Sequence, residues 1–144
     1  MNTDTQSLLS IVVPLYNEQD NVVLLTTKIH ESLQGYSYQI VYVDDFSTDN
    51  TRNVVKEMND PLVHLIELKK NYGQSLALAA GIDYAEGEYI ITMDGDLQND
   101  PSDIPNMLTF AVSGEYDVVT GIRQKRRDSL VKKIPSKIAN FLVR

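Results

Sequence analysis

Residues 89–101 read YIITMDGDLQNDP. The run from Tyr89 to Met93 is short, apolar and rich in β-branched residues, the composition of a buried strand. Two carboxylates and a glycine, Asp94-Gly95-Asp96, then end it. Asp100-Pro101 follows, a capping residue with proline at the first helical position, which starts a helix. That helix is expected to run to about Ser113, with Gly114 as its stop.

The same order of strand, polar turn and helix recurs upstream. LLSIVVP (8–14), YQIVYVD (38–44) and LVHLIEL (62–68) read as further strands, and YDVVTG (116–121) as a fifth. Residues 20–34 place Val22, Leu25, Ile29 and Leu33 on one helical face. Residues 50–59 follow the cap formers Ser47, Thr48 and Asp49, and residues 74–86 are rich in alanine and leucine. The predicted order is βαβαβαβαβ, then a basic loop and a short terminal helix over 122–144. Such alternation predicts an α/β fold in one domain over residues 1–144, a mainly parallel sheet with helices on both faces.

Composition agrees. The chain has 144 residues, 42% hydrophobic and 23% charged, with no cysteine. Disulfides and cysteine-held zinc are therefore excluded, and a reducing compartment suits the chain. No apolar run reaches the roughly 18 residues of a membrane span, and the N-terminus lacks a basic leader and apolar stretch. A cytoplasmic location is expected. The net charge of −7 is uneven: residues 123–144 carry eight basic residues against Asp128 alone, so an acidic body precedes a basic end. That end suits an anionic partner such as phosphates or lipid headgroups, or is simply a solvated charged segment. Leu130, Ile134, Ile138, Phe141 and Leu142 recur there between lysines, a pattern that rests on a membrane surface or packs on the domain.

In open α/β sheets ligands bind beyond the carboxyl ends of the strands. The polar residues collect there: Pro14 to Glu18, Asp44 to Ser47, Asn71 to Gln74, Asp94 to Gln98, and Gly121 to Arg123. Individually these have plainer explanations. Asp45, Asp94 and Asp96 are turn formers, and Glu18 is an acid near a helix start. Their coincidence at one rim points to a site. Carboxylates two residues apart around a glycine suit magnesium or manganese, which takes one or two protein carboxylates plus substrate phosphates. Asp94, Asp96 and the neutral oxygen of Gln98 are the candidate metal ligands.

The motifs IVVPLYNEQDNV (11–22), VYVDDFSTDNT (41–51), NYGQSLALAAGIDYAEGEYIITMDGDLQNDP (71–101) and GIRQKRRDS (121–129) resemble the family 2 glycosyltransferases of the nucleotide-sugar (GT-A) fold. More narrowly they resemble the polyprenyl-phosphate glycosyltransferases, the group that includes dolichol-phosphate mannose synthase. The resemblance implies a metal-dependent inverting transfer from a nucleoside-diphosphate sugar to a lipid phosphate, at the cytoplasmic face of a membrane. It implies donor contacts at Pro14, Tyr16, Asn17, Glu18, Val43, Asp45, Asp94, Gly95, Asp96 and Arg123. Asp94, Asp96 and Arg123 would be catalytic, and Arg126 and Arg127 would serve the acceptor phosphate. Two positions depart from the family pattern. Gly95 stands where alanine is usual, a swap expected to keep the geometry and loosen the backbone, and Asn99 stands where an acid is common. Members also continue past Arg144, so these residues read as a fragment or minimal core.

Other readings are a glycosyltransferase acting on a polysaccharide or other hydroxyl acceptor, and a nucleotide-sugar binding fragment inactive on its own. A nucleic-acid partner is not expected; oligomers are compatible with an open sheet edge. A phosphoacceptor receiver domain fails on placement, since its acidic pair should follow the first strand.

Overall fold

The computed structural model describes residues 8–114 and 116–121. Four strands form one parallel sheet: β1 (Leu9–Leu15), β2 (Tyr38–Asp44), β3 (Val63–Glu67) and β4 (Tyr89–Thr92), in the order β3-β2-β1-β4. Leu9 stands beside both Tyr38 and Tyr89, and Ile40 beside Val63. The helices are α1 (Val22–Ser32), α2 (Thr51–Glu57), α3 (Gln74–Tyr84) and α4 (Ile104–Val112).

Strand order explains the layers. The chain steps outward from β1 to β2 to β3, then crosses back over the sheet to β4. Right-handed crossovers in opposite directions place their helices on opposite faces. Leu9, Ile11, Val13 and Leu15 accordingly pack with Leu25 and Ile29 of α1, Val55 of α2 and Ile104 of α4. Val12, Val41 and Val43, pointing the other way, pack with Ala77 of α3. The expected stripe Val22, Leu25, Ile29 and Leu33 is fully buried. Every residue of β2 is buried, whereas the edge strands β3 and β4 are half open.

Glycine lets α3 approach the sheet. A Cβ at Gly81 would collide with Val12 Cγ1 and stand 2.9 Å from Val43 Cγ2. Both are stiff β-branched side chains in the two central strands, so neither yields easily.

Two segments differ from expectation. The helix after β4 begins with a 3-10 turn, Pro101–Asp103, before α4. Pro105 has no N–H to give to the Pro101 carbonyl four residues back, and the Ile104 N–H takes that carbonyl instead. Asp100 does cap this turn, accepting from the Ser102 N–H at 3.0 Å. The second correction concerns YDVVTG: residues 116–121 form no strand, and Val118 is 76% exposed. Two adjacent valines satisfy the composition of a strand, but pairing needs a ladder partner, and β4 has none besides β1 among the described residues. The predicted loop and helix over 122–144 lie outside the described residues.

Candidate active site

The strand order reverses between β1 and β4, the place where an open sheet leaves a crevice. A cleft of about 230 Å³ lies there, lined by Pro14, Leu15, Tyr16 and Glu18 after β1, Asp45 after β2, Gln74 at the start of α3, and Asp94, Gly95 and Asp96 after β4.

The wall after β1 is built by ties to the loop after β2. The Asn17 N–H donates to Ser47 Oγ at 2.9 Å, and Asn17 Oδ1 accepts from the Thr48 N–H at 2.8 Å. Asn17 has φ of 57°, a left-handed conformation that asparagine tolerates. The Glu18 N–H donates to Thr51 Oγ1 at 2.9 Å, and Glu18 Oε2 accepts from Asn21 Nδ2 at 2.7 Å. Glu18 lines the cleft, while Asn17 spends its side chain on the 47–49 loop and lies off the wall.

Asp44 and Asp45 divide their work. Asp44 is fully buried, and its Oδ2 accepts from Arg52 Nε at 2.6 Å and from the Ser47 N–H at 3.0 Å. Asp44 Oδ1 has no hydrogen-bond partner. Asp45 reaches the cleft, yet both its oxygens are engaged: Oδ1 accepts from the Tyr72 N–H at 2.7 Å and Oδ2 from the Gly73 N–H at 2.8 Å. Asp45 therefore holds the loop that launches α3. Gly73 has φ of 90° with open space around it, so glycine serves backbone conformation there rather than packing. Val43 is fully buried beneath α3 and does not reach the cleft wall.

The Asp94-Gly95-Asp96 turn forms the opposite wall. The Asp94 N–H donates to Asn99 Oδ1 at 3.1 Å, so Asn99 closes the turn with an acceptor oxygen and no added charge. Asp96 is exposed, its Oδ1 accepting from the Gln98 N–H at 3.0 Å. Asp94 Oδ1 accepts from Gln74 Nε2 at 2.6 Å. Gly95 is buried against the β1 end; an added Cβ would stand 2.8 Å from Leu15 Cδ2 and 3.4 Å from the Pro14 carbonyl oxygen. The glycine thus makes room for Leu15, a packing role beyond the backbone freedom expected of it.

Not every candidate meets in this cleft. Gln98 lies on a second concavity of about 740 Å³ beside β4 and α4, with Met93, Phe110 and Gly121 among its walls. Arg123, Arg126 and Arg127 lie outside the described residues. Gln74 was not among the candidate site residues, although Asn71 to Gln74 stood out as a polar strand end. Only the fold brings it to Asp94, twenty residues on.

Among the described residues, Glu18, Asp45, Asp94 and Asp96 put four carboxylates on the cleft wall, and no lysine, arginine or histidine lines it. Among the described residues, neither Asp94 nor Asp96 has an ion-pair partner, and no three His, Cys, Asp or Glu side chains cluster to cage an ion unaided. Two carboxylates open to a ligand's own oxygens are the donor set magnesium or manganese uses with phosphates, so the residues present fit such an ion.

Known proteins resemble this chain in sequence and in fold. The chain is 43% identical to the dodecaprenyl-phosphate galacturonate synthase of Rhizobium johnstonii, over 99% of this chain and 44% of that protein. It is 42% identical to the undecaprenyl-phosphate 4-deoxy-4-formamido-L-arabinose transferase of Yersinia pestis, over 93% of this chain and 42% of that protein. The chain thus spans less than half the length of these relatives. Among solved structures, the mannosyltransferase PcManGT from Pyrobaculum calidifontis, in complex with GDP-Man and Mn2+, superimposes with a TM-score of 0.64 at 26% identity, over 73% of this chain and 32% of that one. S. aureus TarS in complex with UDP-GlcNAc does so with a TM-score of 0.66 at 22% identity, over 84% of this chain and 37% of that one, a likeness of fold. The profile described as Glycosyl transferase family 2 matches residues 10–142, from the first strand through the acidic cleft and into the basic segment. The chain belongs to glycosyl transferase family 2.

Proposed function

We propose that this chain is the donor-binding part of a metal-dependent, inverting enzyme that moves a sugar from a nucleoside diphosphate to a polyprenyl phosphate. The observation that carries the metal dependence is the charge of the cleft, four carboxylates with no cation among the described lining residues. Each carboxylate about 5 Å from a phosphate charge repels it by roughly 3 kcal/mol at an effective dielectric constant of 20. A metal ion between these carboxylates and the diphosphate offsets that repulsion. Asp94 and Asp96 would hold magnesium or manganese, with Gln98 on the adjoining wall. The bound ion would supply charge neutralisation for the departing diphosphate.

The chain's own residues do the rest. Pro14, Tyr16 and Glu18, with the loop fixed by Asp45, bind the nucleoside end. Arg123 takes the donor phosphates, and Arg126 with Arg127 takes the acceptor phosphate. An acceptor phosphate oxygen attacks the anomeric carbon from the face opposite the leaving group. The bond from that carbon to the diphosphate breaks, its electron pair leaves with the nucleoside diphosphate, and configuration inverts. The nucleophile is already anionic, so alignment of the two phosphates matters more than a general base. The acceptor class is supported by the relatives, whose names specify dodecaprenyl phosphate or undecaprenyl phosphate. The basic segment 123–144 would meet anionic headgroups at the cytoplasmic face of the membrane. Calorimetry with uridine and guanosine diphosphates, each with and without manganese, tests the donor site. Binding is expected only with metal and is lost in Asp96→Ala; equally tight binding by that variant sinks the metal role.

A further inference from the structure

One side chain in the cleft has a role that neither the family motif nor the donor reading assigns. Gln74 occupies the first position of α3, beyond the loop that Asp45 holds through the Tyr72 and Gly73 amides. Its Nε2 donates to Asp94 Oδ1 at 2.6 Å. A carboxylate only accepts, so the amide must present its nitrogen to Asp94. Among the described residues no hydrogen bond or ion pair engages Asp94 Oδ2, and Asp94 lines the cleft. The contact joins two elements built independently. The β2 end fixes the 72–73 loop, the loop fixes Gln74, and Gln74 fixes the carboxylate after β4.

We propose that Gln74 is a positioning residue that orients Asp94 for a divalent cation without altering the charge the cation meets. This rests on the metal role of Asp94 proposed above. The residue type is informative. A lysine could donate the same bond but would neutralise Asp94 and compete with the cation. A glutamate could not donate, and would add a fifth negative charge. A neutral donor fixes the rotamer and leaves the full carboxylate charge to the metal. Partners that orient a ligand in this way typically govern 10–100-fold in metal affinity.

The test uses manganese alone as the probe, with binding followed by electron paramagnetic resonance on the whole chain, so no turnover is needed. Gln74→Leu keeps the bulk and suits a first helical turn. It should weaken manganese binding roughly 10–100-fold while the melting temperature stays unchanged. Gln74→Lys should weaken it by a similar factor although its donor is kept. The decisive variant pair is Gln74→Leu in an Asp94→Ala background. A residue acting through Asp94 costs nothing further once Asp94 is gone, whereas independent effects multiply. Asp94→Ala without effect on manganese overturns the metal reading itself. Asp94→Ala weakening the ion while Gln74→Leu leaves it unchanged, or a Gln74→Leu loss that persists in the Asp94→Ala background, overturns the positioning role alone.

Discussion

Asp45→Asn separates two explanations of a carboxylate at this cleft. In the structure both oxygens accept backbone N–H groups, from Tyr72 at 2.7 Å and Gly73 at 2.8 Å, and the residue is 4% exposed. A hydrogen bond to a charged group contributes about 1.5–3 kcal/mol. Tyr72 is 46% exposed, so water partly re-solvates its freed amide and the lower end applies. Removing both bonds in Asp45→Ala should then cost about 3 kcal/mol. Asparagine keeps one acceptor but turns an NH2 toward the other amide, so Asp45→Asn should cost about 2 kcal/mol. For a domain of this size that lowers the melting temperature by roughly 5–10 °C. Urea unfolding of wild type and both variants measures the cost, and calorimetry with nucleoside diphosphate and manganese measures the cleft. The scaffold role requires stability and binding to fall together, because the same loop carries Gln74. Full stability of Asp45→Asn with binding lost would refute it and make Asp45 a direct donor contact.

Arg52→Met should be costly in a different way. It strips Asp44, which is fully buried, of its 2.6 Å guanidinium partner and leaves only the Ser47 N–H. Breaking such a pair costs about 3–5 kcal/mol, and Asp44→Asn in the same chain should recover most of it; a loss below about 1 kcal/mol in urea unfolding argues against a structural pair. Tyr42 gives a pH dependence. Burial, partly offset by the 2.8 Å hydrogen bond with Thr26, pushes its hydroxyl from 10.0 up to about 12. The unfolded chain loses this proton first, so the Tyr42 contribution is complete below pH 10.0 and falls between 10.0 and about 12. The slope is about 1.4 kcal/mol per pH unit. Tyr42→Phe should remove that part of the alkaline loss in unfolding measured by circular dichroism; an unchanged profile refutes it.

The local elements were legible because their signals are local. YQIVYVD marks β2 to the residue, and Val22, Leu25, Ile29 and Leu33 mark the buried face of α1. Asp100-Pro101 marks a helix start through one side-chain bond. The acidic turn at Asp94-Gly95-Asp96 was legible for the same reason, since its position after a strand follows from neighbouring residues. YDVVTG was misread because a strand is completed by a partner, which composition does not supply.

From the sequence alone come the α/β alternation, the family and the gathering of polar residues at strand ends. Tertiary structure alone decided which of those residues meet. The order β3-β2-β1-β4 arises from pairings between segments far apart in the chain, and it sets the β1 and β4 ends beside each other. It then sorts the polar residues by work. Asn17 and Asp44 go into the scaffold, Asp45 into holding a loop, and Gln74 onto Asp94. The reason is physical: a carboxylate or amide has the same chemistry wherever it stands, and only the groups within hydrogen-bond reach decide whether that chemistry is spent on the fold or left for a ligand.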